Sequence, residues 1–405
     1  MQTIAFRPLT VTLVALVSLL TSLYFYLPVM TLYLQYKGLS LVEINLLNAL
    51  LIAAQFVAEV PTGMLSDRLG RKRSWLIGLS FQFLGELLFF VASSLWLFAL
   101  IQVIAGIGFA FMSGSIEALV YESLPSERRN AAMKRALGLI SAAARFANLL
   151  AFSVGGWLVR DLMPSSYSFA ILLTVISVGL GLLVACFVRD APTHGLSDQP
   201  PSAWQLLRDG LGLLWSNKGL RRLVSLAVLS EPFGFYLVVL YQPYFVRAEV
   251  PGQWFGYALA LGSLLAMLGE RYGYWFEERL GLHRGMLLGT ALPGLLYLAM
   301  AFQFEPFGAI LLFIVQYGSM NAIRPTLRAY INDHVPDVQR ATTLSLIQLL
   351  STLYLSAMGL LWGLLAEWSL TGIFVAMGAV VLLAACCLRI DEDDVTTEQI
   401  FTSEG

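Results

Sequence analysis

Long apolar runs, separated by short polar connections, set the pattern of this chain. Crossing the hydrocarbon layer takes about 20 consecutive apolar residues as a helix. Runs of that kind fall near 9–36, 41–62, 74–92, 95–120, 131–158 and 166–188, and again near 221–246, 253–276, 285–303, 307–329, 341–366 and 370–388. The first run is too long for a signal-peptide core and has no small-residue cleavage site, so it reads as a retained helix. The pattern predicts an all-α integral membrane protein. Its twelve transmembrane helices form two six-helix bundles, with both termini on one side.

The connections set the boundaries. Residues 1–188 form the first bundle, 189–220 a linker, 221–390 the second bundle and 391–405 an acidic tail expected to be disordered. In the linker, Trp204, Leu207, Leu211, Leu214 and Trp215 recur at helical spacing, which predicts an amphipathic helix on the membrane surface. Composition agrees with the pattern. The chain is 58% hydrophobic and 13% charged, whereas a soluble protein carries about 25% charge.

Of the 25 Lys and Arg residues, only Lys37, Arg160 and Arg247 fall in loops opposite the termini. Arg145, Arg271, Arg324 and Arg328 lie in or at the edge of spans. The remainder sit on the side of the termini, which places that side in the cytoplasm and the chain in the inner or plasma membrane. The net charge of −1 says nothing about nucleic acid, but no basic patch with interleaved aromatics occurs outside the membrane-flanking loops, so no nucleic-acid partner is expected. The three cysteines, Cys186, Cys386 and Cys387, define neither a disulfide framework nor metal-ligand spacing.

The chain also repeats itself. Asp67-Arg68-Leu69-Gly70 matches Glu278-Arg279-Leu280-Gly281, and Pro125 with Arg129 matches Pro336 with Arg340. Phe25-Tyr26-Leu27 with Val29 recurs as Phe235-Tyr236-Leu237 with Val239. Ala185-Cys186 and Arg189 recur as Ala385-Cys386 and Arg389. Four matches in chain order point to duplication of a six-helix unit. An even number of spans per unit gives a parallel repeat about the membrane normal, an arrangement of transporters that rock around a midplane site.

The stretch 63–73, GMLSDRLGRKR, resembles the helix 2–3 signature of the major facilitator superfamily at its Gly, Asp, Arg, Gly, Arg and Lys positions. Asp67 is placed to cap the next helix or to bind an arginine. The resemblance implies a transporter with helices 1, 4, 7 and 10 central and helices 2, 5, 8 and 11 at the contact between halves. It also implies a cytoplasmic gate, for which the matching residues are Asp67, Arg68, Arg71, Glu122, Arg129 and Glu278. Glu59-Val60-Pro61-Thr62-Gly63, with Ser113-Gly114-Ser115, resembles bacterial efflux permeases of that family. Two positions depart from its proton-coupled drug exporters. Gln102 stands where helix 4 usually carries an arginine, and Ala151-Phe152 replace a Gly-Pro ahead of Gly155-Gly156.

An ionisable group inside the bilayer costs about 2.5–3.5 kcal/mol on insertion scales, so each needs a reason. Arg145, Glu231 and Glu86 all lie near the midplane at a helical rise of 1.5 Å per residue. Glu231 precedes Pro232, whose ring favours a kink, and it is the candidate for proton binding. Arg145 is placed to bind an anionic substrate group, or to pair with Glu86 or Glu231. Tyr24 and Tyr26 on helix 1 are deep enough to face a cavity. Gln316, Asn321 and Arg324 form a polar stripe on helix 10. With no P-loop, HExxH or GxSxG, an enzyme is not expected, and no cofactor or metal is called for. The expected function is secondary active export of a small organic compound, coupled to protons, by a monomer in the bilayer. The alternatives are import of an organic anion on the same fold and a non-transporting sensor.

Overall fold

The structure is a computed structural model that describes residues 9–124, 129–189, 208, 212, 218–230, 233–280, 282–322 and 337–387. The predicted amphipathic helix at 204–215, apart from positions 208 and 212, and the tail lie outside the described residues. The chain divides into two compact units, one of residues 1–39 and 46–198, the other of 40–45 and 199–405.

In the first unit the helices are α1 (Leu9–Thr21), α2 (Met30–Tyr36), α3 (Leu41–Leu69, whose first turn groups with the second unit), α4 (Arg71–Val91), α5 (Leu95–Met112), α6 (Ser115–Glu122), α7 (Arg129–Leu158) and α8 (Pro164–Cys186). The second unit holds α9 (Lys218–Ser230), α10 (Phe233–Arg247), α11 (Gln253–Leu280), α12 (Leu282–Phe302), α13 (Pro306–Ala322), α14 (Asp337–Trp368) and α15 (Leu370–Cys387). Among the described residues, seven helices are long and apolar enough to cross a membrane. The outward faces carry large apolar side chains such as Trp96, Phe146, Leu183 and Trp368, as expected of surfaces that meet lipid rather than water.

Each unit has its own core. In the first, Val11, Val14 and Val17 of α1 pack with Trp75 and Leu79 of α4, Leu119 and Val120 of α6 and Ala185 of α8. The α4–α5 crossing is close because Gly78 and Gly108 face each other: a Cβ on Gly78 would meet the Gly108 carbonyl at 2.7 Å. Aromatic rings fill the second core. Tyr241 stacks on Phe313 at 4.4 Å, and Phe245 meets Phe255 and Phe313 edge-on at 5.3 and 5.4 Å. Such pairs add about 0.5–1.5 kcal/mol each beyond their area.

Two sequence expectations need correction. The stretch 63–73 is not a loop of that length. Helix α3 continues through Pro61 to Leu69, and α4 starts at Arg71. The turn is the single residue Gly70, at φ +90°, where a side chain would be strained. The first span is also not one helix: it stops at Thr21, passes through an irregular stretch and a short 3₁₀ turn (Leu27–Val29), and resumes at Met30. Pro28 accounts for the interruption. It has no N–H to donate, and its ring opposes the carbonyl four residues back, that of Tyr24.

Candidate functional site

A broken helix inside hydrocarbon leaves peptide groups without partners, at several kcal/mol each unless protein groups meet them. Here they are met by neighbouring helices. The Ser177 hydroxyl of α8 donates to the Leu20 carbonyl at 2.7 Å, and Gln82 of α4 donates to the Thr21 carbonyl at 3.3 Å. The Phe25 N–H donates to the Thr174 hydroxyl of α8 at 3.1 Å. Gly155 of α7 lies directly against the Phe25 carbonyl, so even a methyl group there would overlap it. Irregular backbone is thus held from three sides.

Tyr24 and Tyr26 sit in that break. The Gln82 amide donates to the Tyr24 hydroxyl at 2.7 Å. The Tyr26 hydroxyl lies 3.2 and 3.1 Å from the two oxygens of Glu86 and donates to that carboxyl. Tyr26 stacks on Phe89 at 5.0 Å, Phe89 meets Tyr33 at 5.4 Å, and Tyr33 meets Tyr167 edge-on at 6.2 Å. Glu86 is 8% exposed and Tyr26 6%. The result is a small hydrogen-bonded polar group behind an aromatic wall. Gln82 was missed in the sequence, although Gln82 and Glu86 are four apart on an otherwise apolar helix and so share one face.

Arg145 does not join them. It lies on an exposed face of α7, and Glu86 takes the Tyr26 hydroxyl rather than Arg145 as its partner. Glu231 and Arg324 lie outside the described residues, as does the side chain of Asn321. Gln316 of α13 is 0% exposed, and neither of its amide atoms has a hydrogen-bond partner. A ligand that reaches Gln316 must first loosen the packing around α13.

The charged turn between α3 and α4 forms a second group. Asp67 pairs with Arg71 at 2.9 Å across Gly70, and Arg71 also reaches the Ser66 hydroxyl at 3.4 Å. Ser66 and Ser115 are 3.2 Å apart, and the Ser113 hydroxyl donates to Glu59 at 3.4 Å. The two stretches that resemble efflux permeases therefore touch. Arg68 is exposed. Lys72 donates to the Cys186 carbonyl at 3.1 Å, a cation at the negative end of α8. Arg129 donates to the Leu124 carbonyl at 3.2 Å and lies 5.0 Å from the centre of the Tyr121 ring. One Glu122 oxygen is buried without a hydrogen-bond partner. The Glu278 side chain lies outside the described residues.

Tyr236, which the sequence repeat pairs with Tyr26, lies on α10. Its hydroxyl donates to the Leu355 carbonyl of α14 at 2.7 Å.

A family model described as Major Facilitator Superfamily matches residues 12–302. The uncharacterized MFS-type transporter YxaM of Bacillus subtilis is 23% identical over 374 residues, which is 88% of this chain and 89% of that one. The quinolone resistance protein NorA of Staphylococcus aureus is 23% identical over 175 residues, 43% of this chain and 44% of NorA. Among solved structures, the nucleoside transporter NupG matches with a TM-score of 0.79 at 14% identity, over 94% of this chain and 98% of that chain. A D-xylose–proton symporter matches with a TM-score of 0.72 at 15% identity, over 95% and 98%.

Proposed function

The chain belongs to the Major Facilitator Superfamily, and from that premise we propose that it exports a small organic compound by alternating access, driven by protons. It is a multi-pass membrane protein of a transporter family, not an enzyme. The observation that carries the proposal is the interrupted first helix, whose break presents Tyr24 and Tyr26 and is held by polar residues of two other helices and by Gly155 of a third. Interrupted helices are how transporters place polar groups at membrane depth without exposing backbone to lipid. Similarity to a quinolone resistance protein favours export.

In this reading twelve spans form two six-helix bundles, joined by the linker at 189–220, in the inner membrane with both termini cytoplasmic. The α3–α4 turn is the cytoplasmic gate. Asp67, Arg68 and Arg71, with Glu122, Arg129 and Glu278, hold the inner ends closed while the outer side is open. Substrate and protons engage Tyr24, Tyr26, Arg145, Glu231, Gln316, Asn321 and Arg324, with Glu231 the coupling carboxyl. A second reading, import of an organic anion held by Arg145 and Arg324, is favoured by Gln102. That residue replaces the exporters' arginine and donates to the Leu47 carbonyl at 3.2 Å instead.

The test is a ligand-stabilisation screen on the purified protein, with quinolones, nucleosides, sugars and organic anions as probes, paired with drug susceptibility of cells that express it. Export predicts that a compound raising the Tm is also one to which the cells become less sensitive. Greater sensitivity to, or accumulation of, the stabilising compound supports import instead.

A further inference from the structure

We infer that Glu86 is a proton-binding site of the first unit, coupled through Tyr26 to the break in the first membrane helix. The inference deepens the transporter reading and rests on it for its purpose, though not for its test. Glu86 is buried, yet its two oxygens share a single donor, the Tyr26 hydroxyl at 3.2 and 3.1 Å. One O–H supplies one hydrogen bond. No cation pairs with Glu86 among the described residues. A buried carboxylate so poorly served is not compensated for the hydration it has lost, and a proton removes that cost by making the group a neutral acid that donates as well as accepts.

The two partners stand on different kinds of support. Glu86 is on α4, which is fixed by the glycine crossing with α5 and by fully buried Trp75. Tyr26 is in irregular chain, outside any helix. A change in the break therefore moves the Tyr26 hydroxyl relative to the carboxyl and alters the one hydrogen bond the carboxyl has among the described residues. Proton uptake and the geometry of the first helix are linked for that reason.

Other titratable groups do not replace Glu86 in this role. Tyr24 faces it from the break, with its ring 6.0 Å from that of Tyr26. Tyr33 of α2 and Tyr167 of α8 continue the aromatic wall. Helix α5 carries no titratable residue. Glu117, Tyr121 and Glu122 of α6 belong to the far end of α4, where Ser74 donates to the Phe111 carbonyl, about 18 Å along the helix from Glu86.

The experiment is pH-difference infrared spectroscopy of the full chain in phosphatidylethanolamine–phosphatidylglycerol vesicles, with the proton as the only ligand. The wild type should show a carboxylic-acid C=O band that appears in acid and is lost in alkali. Glu86→Gln should remove it, Tyr26→Phe should shift it without loss, and Glu122→Gln should leave it intact. Should Glu86→Gln not fold, Glu86→Asp must displace the band. An unchanged band in Glu86→Gln, or a Glu86 signal that does not respond to pH, overturns the assignment. Since no substrate is needed, a titrating Glu86 in a protein that moves nothing would overturn the transport reading alone.

Discussion

Replacing Gly155 by leucine should leave little folded protein and no transport. The Cβ alone would overlap the Phe25 carbonyl, and the obstacle is backbone on both sides, not the end of a side chain that can swing away. Overpacking in a well-filled core costs about 1–3 kcal/mol, and more where nothing gives. This site belongs at or above the upper end of that range. Phe25 also donates its N–H to Thr174, so pushing it outward costs a second interaction. Size-exclusion and thermal unfolding of the detergent-purified variants should show Gly155→Ala lowered in Tm and Gly155→Leu aggregated. A leucine variant with normal Tm would mean that the break is not held as described.

Asp67→Asn should behave in the opposite way, with fold intact and transport reduced at least tenfold. The Asp67–Arg71 pair is 2.9 Å long, but the two side chains are 51% and 29% exposed. A surface pair at this spacing contributes about 0.3–0.5 kcal/mol. Its loss is too small to unfold the protein, so a tenfold drop must come from the closed state that the charge supports. Equal transport by wild type and Asp67→Asn, at matched amounts in the membrane, would remove the turn from the gate.

The difference between these two predictions follows what could be read from the residues. Apolar run lengths place the helices well: 253–276 and 131–158 were expected where α11 (Gln253–Leu280) and α7 (Arg129–Leu158) are found. Hydropathy reports how long an apolar segment is, not whether its backbone bonds are continuous. The break at Ser22–Tyr26 was therefore invisible in the pattern, although Pro28 was there to suggest it. Its support was out of reach for another reason. Thr174 and Ser177 lie 149 and 157 residues from the groups they satisfy, and no local rule pairs them.

Glu86 was legible as a buried acid but not as the partner of Tyr26, since depth along a helix does not say which neighbour it faces. The turn shows the converse. Its residue types carry the family signature, while its run of charged residues reads as a longer loop than the single residue between Leu69 and Arg71. Gly70 can close it alone because only glycine takes φ +90° without strain.

The central claim, proton-driven export, is tested most directly in everted membrane vesicles from cells that express the chain. A fluorescent quinolone is the probe, or whichever compound stabilises the protein in the screen. With the vesicle interior made acid, the wild type should accumulate the compound until a protonophore collapses the gradient. Glu231→Gln should lose accumulation while retaining exchange of labelled for unlabelled compound. Accumulation that survives the protonophore, or uptake that appears only in right-side-out vesicles, would contradict proton-driven export.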